Sequence, residues 1–198
     1  MNMRQWTLWL LLVVMMSAAA CGPAPAPTPD NALPQTFTSS NGTLSVDYPA
    51  GWIAADRAGG FVIANSQTTL ESIGTAFSSG QSAMVALLLT ADVAGTLTTG
   101  GVPLGDNLTP ESVLGTFAEQ SSAQLGLQMS AVTTFTLNGK AAARANLSLE
   151  TGEGLFVTVA VENGAFVVFT ISTAVGELAQ YEQTFLDIAA TVSYRPPQ

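Results

Sequence analysis

The chain has 198 residues and is 47% apolar, with 14 acidic and 5 basic residues, no histidine and a net charge of −9. Beyond Arg4 its basic residues are Arg57, Lys140, Arg144 and Arg195, too scattered to make a binding stripe, so nucleic acid and acidic lipid head groups are poor partners and no nucleic acid is expected. The absence of histidine removes the commonest general base and metal ligand, and a lone cysteine offers neither a disulfide nor a zinc or copper site, so no cofactor is expected.

Residues 1–20 have the anatomy of a secretory signal peptide: Arg4, then the uncharged run Trp6 to Met16, then small residues up to Ala20. The apolar run is too short for a span of about 20 residues. Cys21 follows directly. "SAAAC" resembles the lipobox of bacterial lipoproteins, in which the cysteine is acylated and becomes the new N-terminus. The rival, ordinary cleavage after Ala20, would leave an exposed thiol open to oxidation. Cys21 is therefore expected to carry the lipid, and a membrane to be the first partner, since two or more acyl chains anchor stably where one does not. Residues 21–34 alternate proline with small residues and read as an extended tether, because proline lacks the N–H and fixes φ. The expected location is extracytoplasmic, tethered to a bacterial cell membrane.

Residues 35–198 are long enough for a single domain with a real core. Asn41-Gly42 predicts a hairpin between 36–39 and 43–48, with Leu44, Val46 and Tyr48 on one face. Pro49-Ala50-Gly51 turns the chain into Trp52. A short strand is expected over 59–66, and the apolar run 83–90 predicts a strand buried on both faces. Residues 91–108 lack a period and are rich in glycine, which predicts a long loop, functional or mobile. A helix then starts at Thr109 (N-cap), Pro110 and Glu111, with Val113, Leu114, Phe117, Ser121 and Leu125 on one side.

Two more hairpins are predicted in the second half. Strands 129–137 and 140–150 flank Asn138-Gly139, with Ala141, Ala143, Ala145, Leu147 and Leu149 inward and Arg144, Asn146, Ser148 and Glu150 outward. Strands 155–162 and 165–172 flank Asn163-Gly164 and are apolar on both faces, as central strands are. A last helix over 175–190 carries Leu178, Tyr181, Phe185 and Ile188 at helical spacing. The fold class is α+β, with a central antiparallel sheet and helices packed on it.

The order of these motifs, from "LSVDYPAGW" through "TFTLNGKAAARANLSLE" and "GLFVTVAVENGAFVVFTIS" to "YEQTFLDIAATVSY", is similar to that of the PsbP-like superfamily, in its bacterial LpqN/DcrB-like lipoprotein branch. The resemblance covers nearly all of 35–194. It implies an α/β/α sandwich and a mostly non-enzymatic, accessory role. It carries over no catalytic motif, and Tyr48, Pro49, Gly51 and Trp52, the strongest matching positions, look structural.

Candidate chemistry is sparse. Lys140, beside a turn, is the one lysine able to activate a serine, and a solvated turn lysine is the plainer reading. Asp106, Asn107 and Glu111 are weak oxygen ligands for calcium, but their spacing is not that of an EF-hand. Glu150 and Glu153 read as a charged hairpin loop. The glycine-rich "TTGGVPLG" lacks a P-loop lysine, which leaves Gly100 and Gly101 as the tip of a loop able to close over a partner. Trp52 is a candidate interface aromatic, although a tryptophan closing a hairpin onto a core is commoner. The functional expectation is a non-catalytic, lipid-anchored interaction module for an envelope complex. The alternative is a carrier of a small apolar ligand or lipid, with a pocket between sheet and helices lined by Phe117 and Phe185. An enzyme has the least support.

Overall fold

A computed structural model describes residues 32–197 apart from 107, 126, 127 and 150. The signal peptide, Cys21 and nearly all of the spacer lie outside the described residues. Of the last spacer residues, Leu33 packs against the core.

The opening hairpin forms as expected. Strand β1 (Gln35–Thr38) pairs with β2 (Leu44–Tyr48), Gln35 opposite Tyr48 and Thr38 opposite Ser45. The Asn41 side-chain oxygen accepts from the Ser39 hydroxyl at 2.8 Å and the Thr43 amide at 3.1 Å, and Gly42 sits at φ +69°. That is the side-chain turn chemistry asparagine supplies. Next come β3 (Ile53–Arg57) and β4 (Gly60–Ala64), a hairpin of which only the second strand is legible in the sequence. A short helix α1 (Gln67–Glu71) follows, capped by the Ser66 hydroxyl accepting from the Thr69 amide at 3.1 Å. Strand β5 (Ser82–Leu89) matches the apolar run.

The stretch expected to be a loop is structured. It holds helix α2 (Ala91–Thr96) and the two-residue strands β6 (Thr98–Thr99) and β7 (Val102–Pro103). Gly100 and Gly101 lie at φ +57° and +81°. Two consecutive positive φ values are what a tight hairpin turn demands and what Gly-Gly supplies without strain.

Helix α3 (Pro110–Leu125) starts at the expected cap, the Thr109 hydroxyl accepting from the Ser112 amide at 3.1 Å. The side chains of Ser121 and Leu125, expected on its inner side, lie outside the described residues. The expected strand 129–137 is two pieces, β8 (Gln128–Met129) and β9 (Thr133–Leu137), both pairing with β10 (Lys140–Leu149). Ala143, Ala145 and Leu147 are buried as read, but Ala141 is exposed and Ala142 is buried on the other face.

Strand β11 (Gly152–Ala160) begins three residues earlier than expected, which puts Glu153 inside a strand rather than in a loop. It pairs with β12 (Phe166–Thr173) around Asn163-Gly164, at φ +59° and +67°. Helix α4 (Leu178–Thr191) starts later than Val175, because Gly176 sits at φ +80° and breaks the helical path. The Glu153 carboxylate accepts from the Leu178 amide at 2.5 Å, satisfying one of the free N–H groups at that helix start. Strand β13 (Ser193–Tyr194) pairs with β2.

The large sheet is antiparallel in the order β3-β4-β5-β12-β11-β10-β8, with β9 also on β10. On one face Leu155, Val157, Phe169 and Met84 pack with Phe185 and Ile188 of α4 and with Leu44 and Val46 of β2. On the other, Phe166 and Val168 meet Val113, and Ala143, Ala145 and Phe156 meet Leu114, both from α3. Helices thus cover opposite faces of an α+β sandwich. The opening hairpin is not part of the central sheet. It forms a separate three-stranded sheet, β1-β2-β13, beside α4. Phe61, Phe169 and Phe185 are among the largest fully buried side chains, each contributing about 2–3 kcal/mol of burial.

Candidate functional site

Strands β5, β12 and β11 are central, so both faces of each would ordinarily be covered. On the α4 face they are: Met84, Ala86, Phe169 and Ile171 are buried. On the α3 face coverage fails at one end, where Val85, Thr170 and Ser172 are only half-buried. Helix α3 passes over Ala143, Ala145 and Phe156 and leaves the neighbouring end of the sheet open. The result is a groove of about 590 Å³.

The floor is low because small residues are in register. Gly154 lies opposite Ser172, Ser172 opposite Ala83 and Ala83 opposite Ala64, one row across four strands. The walls are Phe117 of α3 and the segment Ile73–Phe77. Phe117 meets Phe156 edge-on, ring centroids 5.3 Å apart at 86°. Among the described residues the one titratable residue on the lining is Glu153, and its carboxylate is committed to the Leu178 amide of the helix on the opposite face.

The segment that forms the second wall is pinned at its far end. The Glu177 carboxylate accepts from the Ser79 hydroxyl at 2.5 Å and from the Gly80 amide at 2.8 Å. The Gly80 carbonyl accepts from the Asn65 side chain at 2.6 Å and from the Tyr181 hydroxyl at 3.2 Å. Burial, with the Glu177 charge second, pushes the Tyr181 phenol above its ordinary pKa.

The residues singled out in the sequence fall elsewhere. Trp52 is half-buried and sits edge-on against Phe185, centroids 5.4 Å apart. Phe117 lines the groove, whereas Phe185 lies in the core on the other side of the sheet. Gly100 and Gly101 form the exposed tip of the β6–β7 hairpin, which is tied to α3 by a bond between the Thr99 and Thr116 hydroxyls. Asp106 and Glu111 are exposed, and Asn107 lies outside the described residues. Among the described residues no three His, Cys, Asp or Glu side chains converge on a point. The Lys140 amine donates to the Val192 carbonyl; burial lowers its pKa, with Glu162 pulling the other way. Arg144 pairs with Glu182 of α4 at 2.8 Å and lies over the Phe135 ring. No helix of the described residues is long and apolar enough to cross a membrane.

Periodicity gave no sign of the Ile73–Phe77 wall, whose position depends on contacts far along the chain. The floor had a faint signal: Thr170 and Ser172 put hydroxyls at i and i+2 of an otherwise apolar strand. That pattern fits a face left partly open to water.

No family model matches the chain, and no curated protein matches it in sequence. Solved structures do share the architecture. Cyanobacterial PsbP (CyanoP) from Synechocystis sp. PCC 6803 matches with a TM-score of 0.51 at 15% identity, over 88% of this chain and 100% of that one. LpqN of Mycobacterium tuberculosis, described as involved in cell envelope biogenesis, matches at a TM-score of 0.48 and 17% identity, over 82% and 91% of the two chains. A protein of Bacteroides thetaiotaomicron VPI-5482 matches at 0.46 and 13%, over 83% of this chain and 50% of its own. The chain has the PsbP-like fold.

Proposed function

We propose that this protein is a non-catalytic accessory module, held at the outside of a bacterial cell membrane through lipid on Cys21, that binds a protein partner in an envelope complex. The observation that carries this reading is where exposed apolar bulk sits. Among the described residues Val93, Val102 and Val175 are the large hydrophobics left in water, at 49%, 67% and 65% exposure. Two of the three lie in the α2–β7 insert, which is also the segment that ends in the Gly100-Gly101 tip. The segment itself is seated on the core through Ala94, Leu97 and Leu104, so its two exposed valines are presented from a fixed base. The absence of histidine from the chain and the commitment of Lys140 to a backbone carbonyl support binding rather than catalysis. The likeness to PsbP and to an envelope-biogenesis protein is compatible with the same role.

The test is cross-linking in the host followed by mass spectrometry, with wild type, Cys21→Ala and Val93→Asp/Val102→Asp. One envelope complex should be captured by wild type and fade in both variants. Capture that is unchanged by the double valine substitution removes the insert as the contact, and unchanged membrane association of Cys21→Ala removes the anchor.

A further inference from the structure

We infer that the groove on the α3 face binds the hydrocarbon tail of a neutral, single-chain lipid. This adds a ligand to the tethered module proposed above, on a surface separate from the α2–β7 insert, and rests on that reading only in that a domain held at a bilayer meets lipid.

Four observations select this ligand. The first is size: about 590 Å³ is within the range of sites for one small molecule, roughly 300–1,000 Å³. The second is the lining, in which half-buried Phe117, Phe77 and Val85 present apolar surface to whatever enters, backed by buried Phe156 and Leu147. Hydrocarbon is stabilised there by about 0.8 kcal/mol per buried methylene.

The third observation excludes an extended peptide. Strands β5, β12 and β11 under the groove are each hydrogen-bonded on both sides within the sheet. The floor therefore offers no free backbone edge, and a peptide lying on it would bury its own N–H and C=O groups without partners. A tail has no such groups to satisfy. The fourth is charge. Among the described residues of the lining Glu153 is the sole titratable one, and its carboxylate accepts from the Leu178 amide. An anionic head group drawn in would lose water and meet no cation among the described lining residues, only the Glu153 charge. Thr170, Ser172 and Thr75 supply hydroxyls that suit one neutral ester or alcohol.

The experiment uses the full chain in phosphatidylcholine nanodiscs and a photoactivatable monoacylglycerol, with adducts mapped by peptide mass spectrometry. The expected adducts lie on the peptides that carry Phe77, Phe117 or Phe156. Phe77→Ser at the half-buried end of the wall, and separately Ser172→Trp in the floor, should cut that labelling by about fivefold or more, as loss of an anchoring contact does. Phe77 is half-buried and belongs to none of the core clusters, so the Phe77→Ser protein should stay folded with a lowered midpoint, which keeps the test informative if Ser172→Trp fails to fold. A probe with the same tail on a phosphate head should label more weakly. Adducts elsewhere, labelling indifferent to Phe77→Ser, or stronger labelling by the phosphate probe would each overturn the inference. Cys21→Ala protein, with the probe added in solution, separates the two readings: failed membrane association with intact groove labelling is a property of the anchor, not of the groove.

Discussion

Trp52→Ala probes whether this tryptophan is a structural residue or a recognition residue. The indole is half-buried and meets the fully buried Phe185 ring edge-on, at 5.4 Å and 70°. An aromatic side chain buries about 150–250 Å² when covered, so half coverage removes about 100 Å² from water, or about 2.5 kcal/mol. The edge-on pairing adds about 0.5–1.5 kcal/mol. Phe185→Ala opens a cavity in the core and should cost about 3–5 kcal/mol. Because the two rings touch, the double variant should be less destabilised than the sum of the singles by about 1 kcal/mol. Urea denaturation of the four proteins measures all three quantities. Under the structural reading Trp52→Ala lowers stability and leaves the envelope cross-links intact where the protein is still folded. A Trp52→Ala protein within about 0.5 kcal/mol of wild type that has lost its cross-links would refute the reasoning.

Two further outcomes follow from local geometry. A Cβ built on Gly154 would lie 2.1 Å from the Ile171 carbonyl oxygen, and backbone cannot step aside. Gly154→Ala should therefore lower the denaturation midpoint by the equivalent of about 1–3 kcal/mol, while Gly115→Ala, with open space around it in α3, should not. The Tyr181 phenol has a folded-state pKa raised above 10.0, so its contribution is intact below that pH and lost as pH rises through the folded value. Lys140, lowered from 10.5, acts in the opposite sense, adding stability as pH rises towards that value. Denaturation midpoints measured at increasing alkalinity should thus decline less in Tyr181→Phe than in wild type, and more steeply in Lys140→Met.

Much of the architecture is legible because hairpin turns are local. Asn41-Gly42, Asn138-Gly139 and Asn163-Gly164 each mark a turn that the structure contains, since positive φ is needed there and few residues tolerate it. Thr109-Pro110-Glu111 likewise announces α3. What escaped is what distant segments decide. Strand β3 is a weakly patterned stretch made a strand by pairing with β4. Strand β13 is two residues long and exists because β2 lies beside it. Gly100-Gly101 is a turn signal of the same kind as the others, masked by flanking strands of two residues each.

The same division runs through the candidate site. The sequence by itself determined the acidic, histidine-free composition, the apolar strands, the helix caps and the hairpins, all of which depend on residues within a few positions of one another. Only the tertiary structure decided that α3 and α4 cover opposite faces, that Trp52 leans on Phe185, and that Ala83, Ser172 and Gly154 fall into one row. A helix that covers part of a sheet leaves the rest open, and how far it reaches is set by packing across the whole domain rather than by any window of sequence. The groove is the surface left over from that packing.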